Sequence, residues 1–281
     1  MNHKKKFAIK TLGCRTNQYE SEGYASQLRA IGYEPAKEGE QADICIINTC
    51  TVTASADSHS RYEIRSLAKQ HPHAKLVVTG CLAEKLPVMP EVSLVVLNEK
   101  KESLIQLALP EEENLPEFKI DQFGGHTRAF VKVQDGCNSF CSYCIIPYVR
   151  GRSSSREMKE IINEIEGLVR NGYKEVVLTG INIGDFATSK GEKLVDLVKT
   201  VDKIKGLERV RISSIDPDEV DDSLIQAILE GKNTAASLHL VLQSGSNAVL
   251  KKMNRKYTRQ IFIDTVERIK KQAPHFTFTT D

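Results

Sequence analysis

Short apolar runs rich in β-branched residues recur along this chain, each followed by a stretch of helical length. In the first half they are Phe7–Thr11, Ile44–Ile47, Leu76–Thr79 and Leu94–Leu97; in the second, Phe130–Val133, Val176–Gly180, Val210–Ser213, Leu238–Leu242 and Phe276–Thr279. Continuous rather than alternating apolar runs are the pattern of parallel strands buried on both faces, and the helices between them supply the cover. The predicted fold class is therefore α/β: an N-terminal open parallel α/β sheet domain over residues 1–123, then a partial parallel β/α barrel over residues 127–281. Helices are expected at Tyr19–Ile31, Ala54–Gln70, Leu194–Ile204, Val220–Leu229 and Thr258–Lys271. Ser154-Ser155-Arg156-Glu157 fits a capping box for a further helix, with Met158, Ile161, Ile162, Ile165, Leu168 and Val169 as its core stripe. Between the domains, Pro110 to Gly125 reads as a solvated connection, with acids at 111–113.

Cysteine placement carries the chemistry. Cys137, Cys141 and Cys144 stand at C-x3-C-x2-C spacing in a loop past the Phe130–Val133 run. Three thiolates in one tight loop can hold three irons of a [4Fe–4S] cube and leave the fourth iron open to a small molecule. A structural zinc knuckle is the alternative, but it needs a fourth ligand; no second cysteine pair exists, and His126 lies on the other side of the strand. In the first domain Cys14, Cys50 and Cys81 each follow an apolar run by one to three residues. That edge of an open parallel sheet is where ligands bind, so these thiols can converge on a second cluster, with Gly13 and Gly80 permitting close backbone approach. The plainer alternative is ordinary buried cysteine, which is how Cys45, flanked by isoleucines, is read.

The 281 residues are 40% hydrophobic and 27% charged, enough to bury two cores. A net charge of +2 leaves nucleic-acid binding to local patches. Two such patches are Arg150/Arg152/Arg156 and Lys251/Lys252/Arg255/Lys256/Arg259, read either as phosphate contacts or as solvated faces. No apolar run of about 18 residues occurs, so no membrane partner is expected, and the basic opening Met1–Lys6 leads into no signal-peptide core. Seven cysteines without an export signal suit a reducing compartment, and a cytoplasmic location is expected. No catalytic triad or acid/base pair argues for hydrolysis.

C-x3-C-x2-C with Tyr143 directly before the third cysteine resembles the radical S-adenosylmethionine (SAM) enzymes. The text from Gln134 to Arg152 is similar to their methylthiotransferase branch, as are Lys10–Glu20, Ile47–Thr53, Val78–Cys81, Gln243–Ser246 and Leu250–Thr258. Val241 departs from the usual proline of that branch. The resemblance implies that the second domain is the radical SAM core, with SAM on the open iron of the Cys137/Cys141/Cys144 cluster. It also implies an auxiliary [4Fe–4S] cluster on Cys14, Cys50 and Cys81 that handles the transferred sulfur. Tyr143 would lie near the SAM adenine and Thr179 to Gly184 near its amino group; Thr179, Gly180, Asn182, Ser213 and Gln243 are the expected cofactor-binding residues of the barrel mouth. The implied reaction spends one SAM as methyl donor and another as radical source, placing a methylthio group on C2 of an adenosine. Thr11–Asn17 and Thr49–Thr53 most resemble the branch acting on N6-threonylcarbamoyladenosine beside the tRNA anticodon. The runners-up act on isopentenyladenosine in tRNA or on a ribosomal-protein aspartate, and a non-catalytic iron–sulfur or RNA-binding protein is the alternative from another class. Expected partners are the tRNA anticodon stem-loop, a low-potential electron donor and a sulfur donor. Relatives continue past Asp281 through a sixth strand and an RNA-binding TRAM domain, so a fragment or a short form is expected.

Overall fold

The computed structural model describes residues 4–112, 114–120 and 122–281. Met1–His3 of the basic opening, Glu113 of the connection and Asp121 lie outside the described residues. The chain forms two compact units: residues up to 122 together with Tyr148–Arg150, and Phe123–Pro147 together with Gly151–Asp281.

The first unit is built from β1 (Lys6–Thr11), α1 (Arg15–Ala30), β2 (Glu34–Pro35), β3 (Ile44–Thr49), α2 (Ala54–Gln70), β4 (Lys75–Gly80), β5 (Leu94–Val95) and α3 (Leu104–Ala108). Its sheet is parallel in the order β2-β1-β3-β4-β5. The side-chain period of two sends Ile44 and Ile46 into one core with Tyr24, Leu28, Leu104 and Ile105 from α1 and α3. Cys45 and Ile47 face the opposite core, with Ile64 and Leu67 of α2. Both faces are thus covered, which is why β3 reads as an unbroken apolar run. The glycine-marked stop of α1 and the Thr53 cap of α2, whose side chain accepts from Ala56 N–H, set the helix limits.

One expectation is corrected here. The segment after 113 is solvated only in part: its polar residues are exposed and its apolar ones dock. Ile120 is buried, Gln27 Nε2 donates to Pro116 O at 2.8 Å, and the Phe118 ring packs against Tyr24. Apolar Leu115, Phe118 and Ile120 among the polar residues drive this docking.

The second unit contains β6 (Ala129–Lys132), β7 (Gln134–Asp135), α4 (Ile146–Val149, its last two residues grouping with the first unit), β8 (Ser154–Ser155), α5 (Met158–Arg170), β9 (Glu175–Thr179), α6 (Leu194–Val201), β10 (Arg209–Ile212), α7 (Asp222–Glu230), β11 (Ser237–His239), α8 (Asn247–Lys252), α9 (Arg259–Gln272) and β12 (Thr277–Thr279). Strands β6, β9 and β10 pair in parallel, β11 pairs in parallel with β12, and parallel bridges Val210–Thr234 and Ile215–Leu240 continue the series. This is the partial β/α barrel. The predicted fourth strand is shorter than its apolar run: regular pairing ends at His239, and Gln243 turns the chain at φ 62°.

The predicted capping box is also corrected. Ser154 and Ser155 form β8, antiparallel to β7, and α5 starts later with Glu157 at its N-cap and no side-chain cap. Ser155 Oγ instead accepts from Ala187 N–H at 3.0 Å. Of the predicted α5 stripe, Ile161, Ile165 and Leu168 are buried, while Met158, Ile162 and Val169 are half-buried. Among the described residues no helix is long and apolar enough to cross a membrane.

Candidate active site

In the first unit, parallel β1, β3 and β4 end on one sheet edge, and Cys14, Cys50 and Cys81 follow them there. Cys14 is the exposed N-cap of α1; Cys50 and Cys81 are buried. Two glycines permit the crowding. A Cβ on Gly13, at φ 93°, would lie 2.9 Å from Cys50 Cβ; one on Gly80, at φ 89°, would lie 2.4 Å from Thr49 O. Asn17 joins two of the loops: its Nδ2 donates to Leu12 O at 2.7 Å and Thr49 O at 3.0 Å, and its Oδ1 lies 3.8 Å from Cys14 Sγ. Ser60 of α2 fixes the backbone at Cys50, donating to Cys50 O at 2.7 Å and accepting from its N–H at 3.2 Å. Burial pushes the Cys81 thiol up, the Arg150 guanidinium against it pulls the other way, and Cys14 and Cys50 push it further up. The three thiols therefore sit within electrostatic reach of one another. Cys45 is instead a core residue, 1% exposed, its thiol pushed up to about 12 by burial.

The second unit clasps its cysteine loop from a distant segment. Ser142 N–H donates to Met253 O at 3.1 Å and Ser142 Oγ to Lys252 O at 2.8 Å. Asn254 Nδ2 donates to Phe140 O at 3.0 Å, and Arg255 Nη1 to Cys141 Sγ at 3.2 Å. The other arm of Arg255 pairs with Asp216, and its guanidinium lies over the Tyr257 ring, 4.7 Å from the centroid. Burial pushes the Cys144 thiol up, to which Cys141 and Cys137 add while Arg255 opposes. Again three thiols converge.

Gln134, just before the loop, is the hub of the barrel mouth. It is 1% exposed; its Nε2 donates to Gly136 O at 2.7 Å, and its Oε1 accepts from Ile181 and Asn182 N–H, each at 2.9 Å. A Cβ on Gly180 would lie 2.8 Å from that Oε1. Asn182 Nδ2 in turn donates to Glu219 Oε1 at 2.9 Å. Burial pushes Glu219 up to about 7, against the Asn182 hydrogen bond and with help from Asp216, Asp185 and Asp218. Thr179 and Ser213 are buried at the ends of β9 and β10, and Ser213 Oγ has no hydrogen-bond partner among the described residues. Tyr143 is 50% exposed and within electrostatic reach of Arg255, Cys141, Cys144 and Asp216. Gln243 stands apart from the Gln134–Asn182–Glu219 chain; its N–H donates to Asp281 O at 3.0 Å.

The basic patches are corrected. The Arg150 side chain is 0% exposed and that of Arg255 9%, while Arg156 is held by Lys132 O and Glu164. These arginines serve internal contacts, whereas Arg152, Lys251, Lys252, Lys256 and Arg259 remain exposed. Sequence reasoning gave no role to Gln134, Asp216 or Glu219; a polar residue directly after a strand's carboxyl end was the available signal for Gln134.

The donor chemistry fits iron–sulfur clusters at both sites: each has three thiols and no carboxylate or imidazole among them. A structural zinc takes four ligands on one ion, and each group here has three thiols. A cube binds each thiolate on a different iron. The His126 ring packs on Phe123 and Phe130 instead.

Comparison with known proteins gives two family matches: the uncharacterized protein family UPF0004 over residues 6–95 and the radical SAM superfamily over residues 131–280. A threonylcarbamoyladenosine tRNA methylthiotransferase MtaB from Chlamydia pneumoniae is 51% identical over 280 residues, covering 98% of this chain and 66% of its own length. The chain belongs to the radical SAM methylthiotransferase family, in its MtaB-like branch. Another MtaB, from Bacillus subtilis (strain 168), is 37% identical over 98% of this chain and 65% of its own. A tRNA-2-methylthio-N(6)-dimethylallyladenosine synthase from Clostridium perfringens (strain SM101 / Type A) is 36% identical over 99% of this chain and 68% of its own. This radical SAM chain thus spans about two thirds of the length of these relatives. Among solved structures, the radical SAM methyltransferase TsrM from Kitasatospora setae matches with a TM-score of 0.64 at 13% identity, over 99% of this chain and 67% of that one, a likeness of fold. The family implies a [4Fe–4S] cluster and SAM.

Proposed function

We propose that this chain is the two-cluster part of a tRNA methylthiotransferase that adds a methylthio group to C2 of N6-threonylcarbamoyladenosine beside the anticodon. The observation that carries this reading is the pair of separate three-thiol groups, each at the carboxyl edge of parallel strands, in a chain of this family. Cys137, Cys141 and Cys144 would hold the radical SAM cluster, and Cys14, Cys50 and Cys81 an auxiliary [4Fe–4S] cluster. Residues 1–123 would form the methylthiotransferase domain and 127–281 the radical SAM domain, in the cytoplasm, with tRNA, a low-potential electron donor and a sulfur donor as partners. The cluster and SAM, when bound, supply one-electron chemistry, which an unactivated aromatic C–H demands because it offers no acid/base handle.

The chain's own residues bind and orient. Gln134 holds the backbone of Ile181 and Asn182 in place, so that Thr179, Gly180 and Asn182 present a fixed edge to SAM. Ser213, whose buried hydroxyl has no partner among the described residues, would offer a hydrogen bond to the ligand from the end of β10. Tyr143, half exposed next to Cys144, would cover the adenine, and Gln243 would close the far side of the mouth.

The test is iron and labile sulfide per chain after anaerobic reconstitution. About eight irons should fall to about four in C14A/C50A/C81A. Reduction with SAM should yield 5′-deoxyadenosine, and nucleosides from reacted tRNA should carry the new group on threonylcarbamoyladenosine. Transfer to dimethylallyladenosine instead would reassign the substrate. About four irons in both proteins would refute the auxiliary cluster, and the absence of 5′-deoxyadenosine would refute the enzyme.

A further inference from the structure

The three-thiol site of the first unit has a buried cation built against it. Tyr148–Arg150 group with that unit, and the Arg150 side chain is 0% exposed. Val149 O is held by Asn98 Nδ2 at 2.6 Å, which fixes the backbone beside it. Arg150 Nη2 donates to Asn17 Oδ1, and Nη1 donates to Glu20 Oε1 at 3.0 Å. Glu20, 1% exposed, also takes Lys101 Nζ at 2.8 Å and Asn48 Nδ2 at 3.3 Å, so Arg150 shares its carboxylate with a second cation. Asn17 is the same residue that joins the loops bearing Cys14 and Cys50. The guanidinium also lies within hydrogen-bond reach of the Cys81 thiol. Burying a guanidinium costs free energy, and its position against a thiol group gives that burial a use.

We infer that Arg150 is the fixed counter-charge of the Cys14/Cys50/Cys81 site, a positioning residue that sets how readily the group held there accepts an electron. This rests on the proposal that these thiols hold an iron–sulfur cluster. Reduction adds negative charge, and a cation fixed nearby at low dielectric favours the reduced form. Glu20, hydrogen-bonded to the guanidinium, opposes it. Arginine suits the position because its planar fork reaches Asn17, Glu20 and the thiol at once, which a lysine ammonium on a flexible stem does less well.

The experiment uses the full chain with C137A/C141A/C144A, so that iron reports the first unit alone. Midpoints of the reconstituted proteins are read by EPR-monitored redox titration, with circular dichroism as the check on folding. R150Q should lower the reduced-to-oxidised ratio at fixed potential about tenfold, a downward shift of about 59 mV for a one-electron couple. E20Q should move it upward, and R150K should stay within about threefold of the parent. Unchanged midpoints in R150Q and E20Q, or shifts of the same sign, overturn the inference while leaving the cluster in place. Should R150Q fail to fold or to bind iron, R150K and E20Q decide: retention with an upward E20Q shift supports the counter-charge, and any other pattern overturns it. A parent that binds no iron removes the two-cluster proposal itself.

Discussion

Replacing Glu219 by glutamine should make the protein more stable, by an amount that grows as pH rises from about 4.5 to about 7. Glu219 Oε2 is buried with no hydrogen-bond partner among the described residues, and its other oxygen accepts from Asn182. Burial raises its pKa from 4.5 to about 7. The folded state therefore keeps this proton to higher pH than the unfolded chain. Below about pH 4.5 both states are protonated and no penalty arises; stability then falls as pH rises to about 7, and the full penalty persists above. The interval corresponds to about 3 kcal/mol, and partial solvent access at this half-buried residue reduces it to roughly 1–2 kcal/mol. E219Q keeps the acceptor for Asn182 and the side-chain volume, which matters because a Cβ on Gly184 would lie 2.0 Å from Glu219 Oε2. Urea denaturation of both proteins should give equal unfolding free energies near pH 4.5. Near pH 8 E219Q should be ahead by roughly 1–2 kcal/mol. Carboxylates elsewhere titrate in both and cancel in the difference. A gap that is the same at both pH values, or that favours the parent at the higher one, refutes the argument that Glu219 is held protonated.

Other substitutions test the supports of the two thiol sites. G80A places a Cβ 2.4 Å from Thr49 O at φ 89° and should cost about 2–3 kcal/mol in denaturant unfolding, with loss of first-unit iron; unchanged stability would contradict the packing. R255M removes the partner of Asp216 and the donor to Cys141, and should cost about 2–4 kcal/mol, with R255K intermediate. Q134A strips acceptors from the Ile181 and Asn182 N–H groups, so it should lose about 2–4 kcal/mol and weaken SAM binding measured by calorimetry. Wild-type affinity in Q134A would mean the 180–182 edge holds itself.

What the sequence disclosed and what it hid follow from range. Strand and helix identities are local, and the unbroken apolar runs of β3 and β4 declared a sheet covered on both faces before any contact was known. Cysteines one to three residues beyond such runs had to reach a common edge once the strands were parallel. Arg150 and Arg255 were illegible because their partners lie 130 and 114 positions away, and a cation in a charged stretch looks the same whether it faces water or a buried thiol. Ser154 and Ser155 misled for a related reason: the serine-to-glutamate spacing is a helix-start signal, but antiparallel pairing with Gln134 and Asp135 claimed that backbone first. Leu115, Phe118 and Ile120 were overlooked among acids and prolines, although three apolar residues in six are enough to dock a connection.

The two thiol groups share a construction principle. Each has thiols in loops beyond parallel strands, where backbone ends meet and side chains from following helices can enter. Each also has one arginine, supplied from far along the chain, set against a single thiol and tied to a carboxylate: Arg150 to Glu20 in the first unit, Arg255 to Asp216 in the second. A thiol in an apolar surrounding resists ionisation, and only ionised sulfur binds iron, so a parallel-sheet edge by itself is a poor ligand set. The arginine offsets that burial at one of the three sulfurs, and its carboxylate holds the guanidinium in place. The carboxylate also matters because a lone buried cation would cost more than the thiolate returns. The arginine–carboxylate pairs therefore belong to the construction of both thiol groups, although neither supplies a thiol.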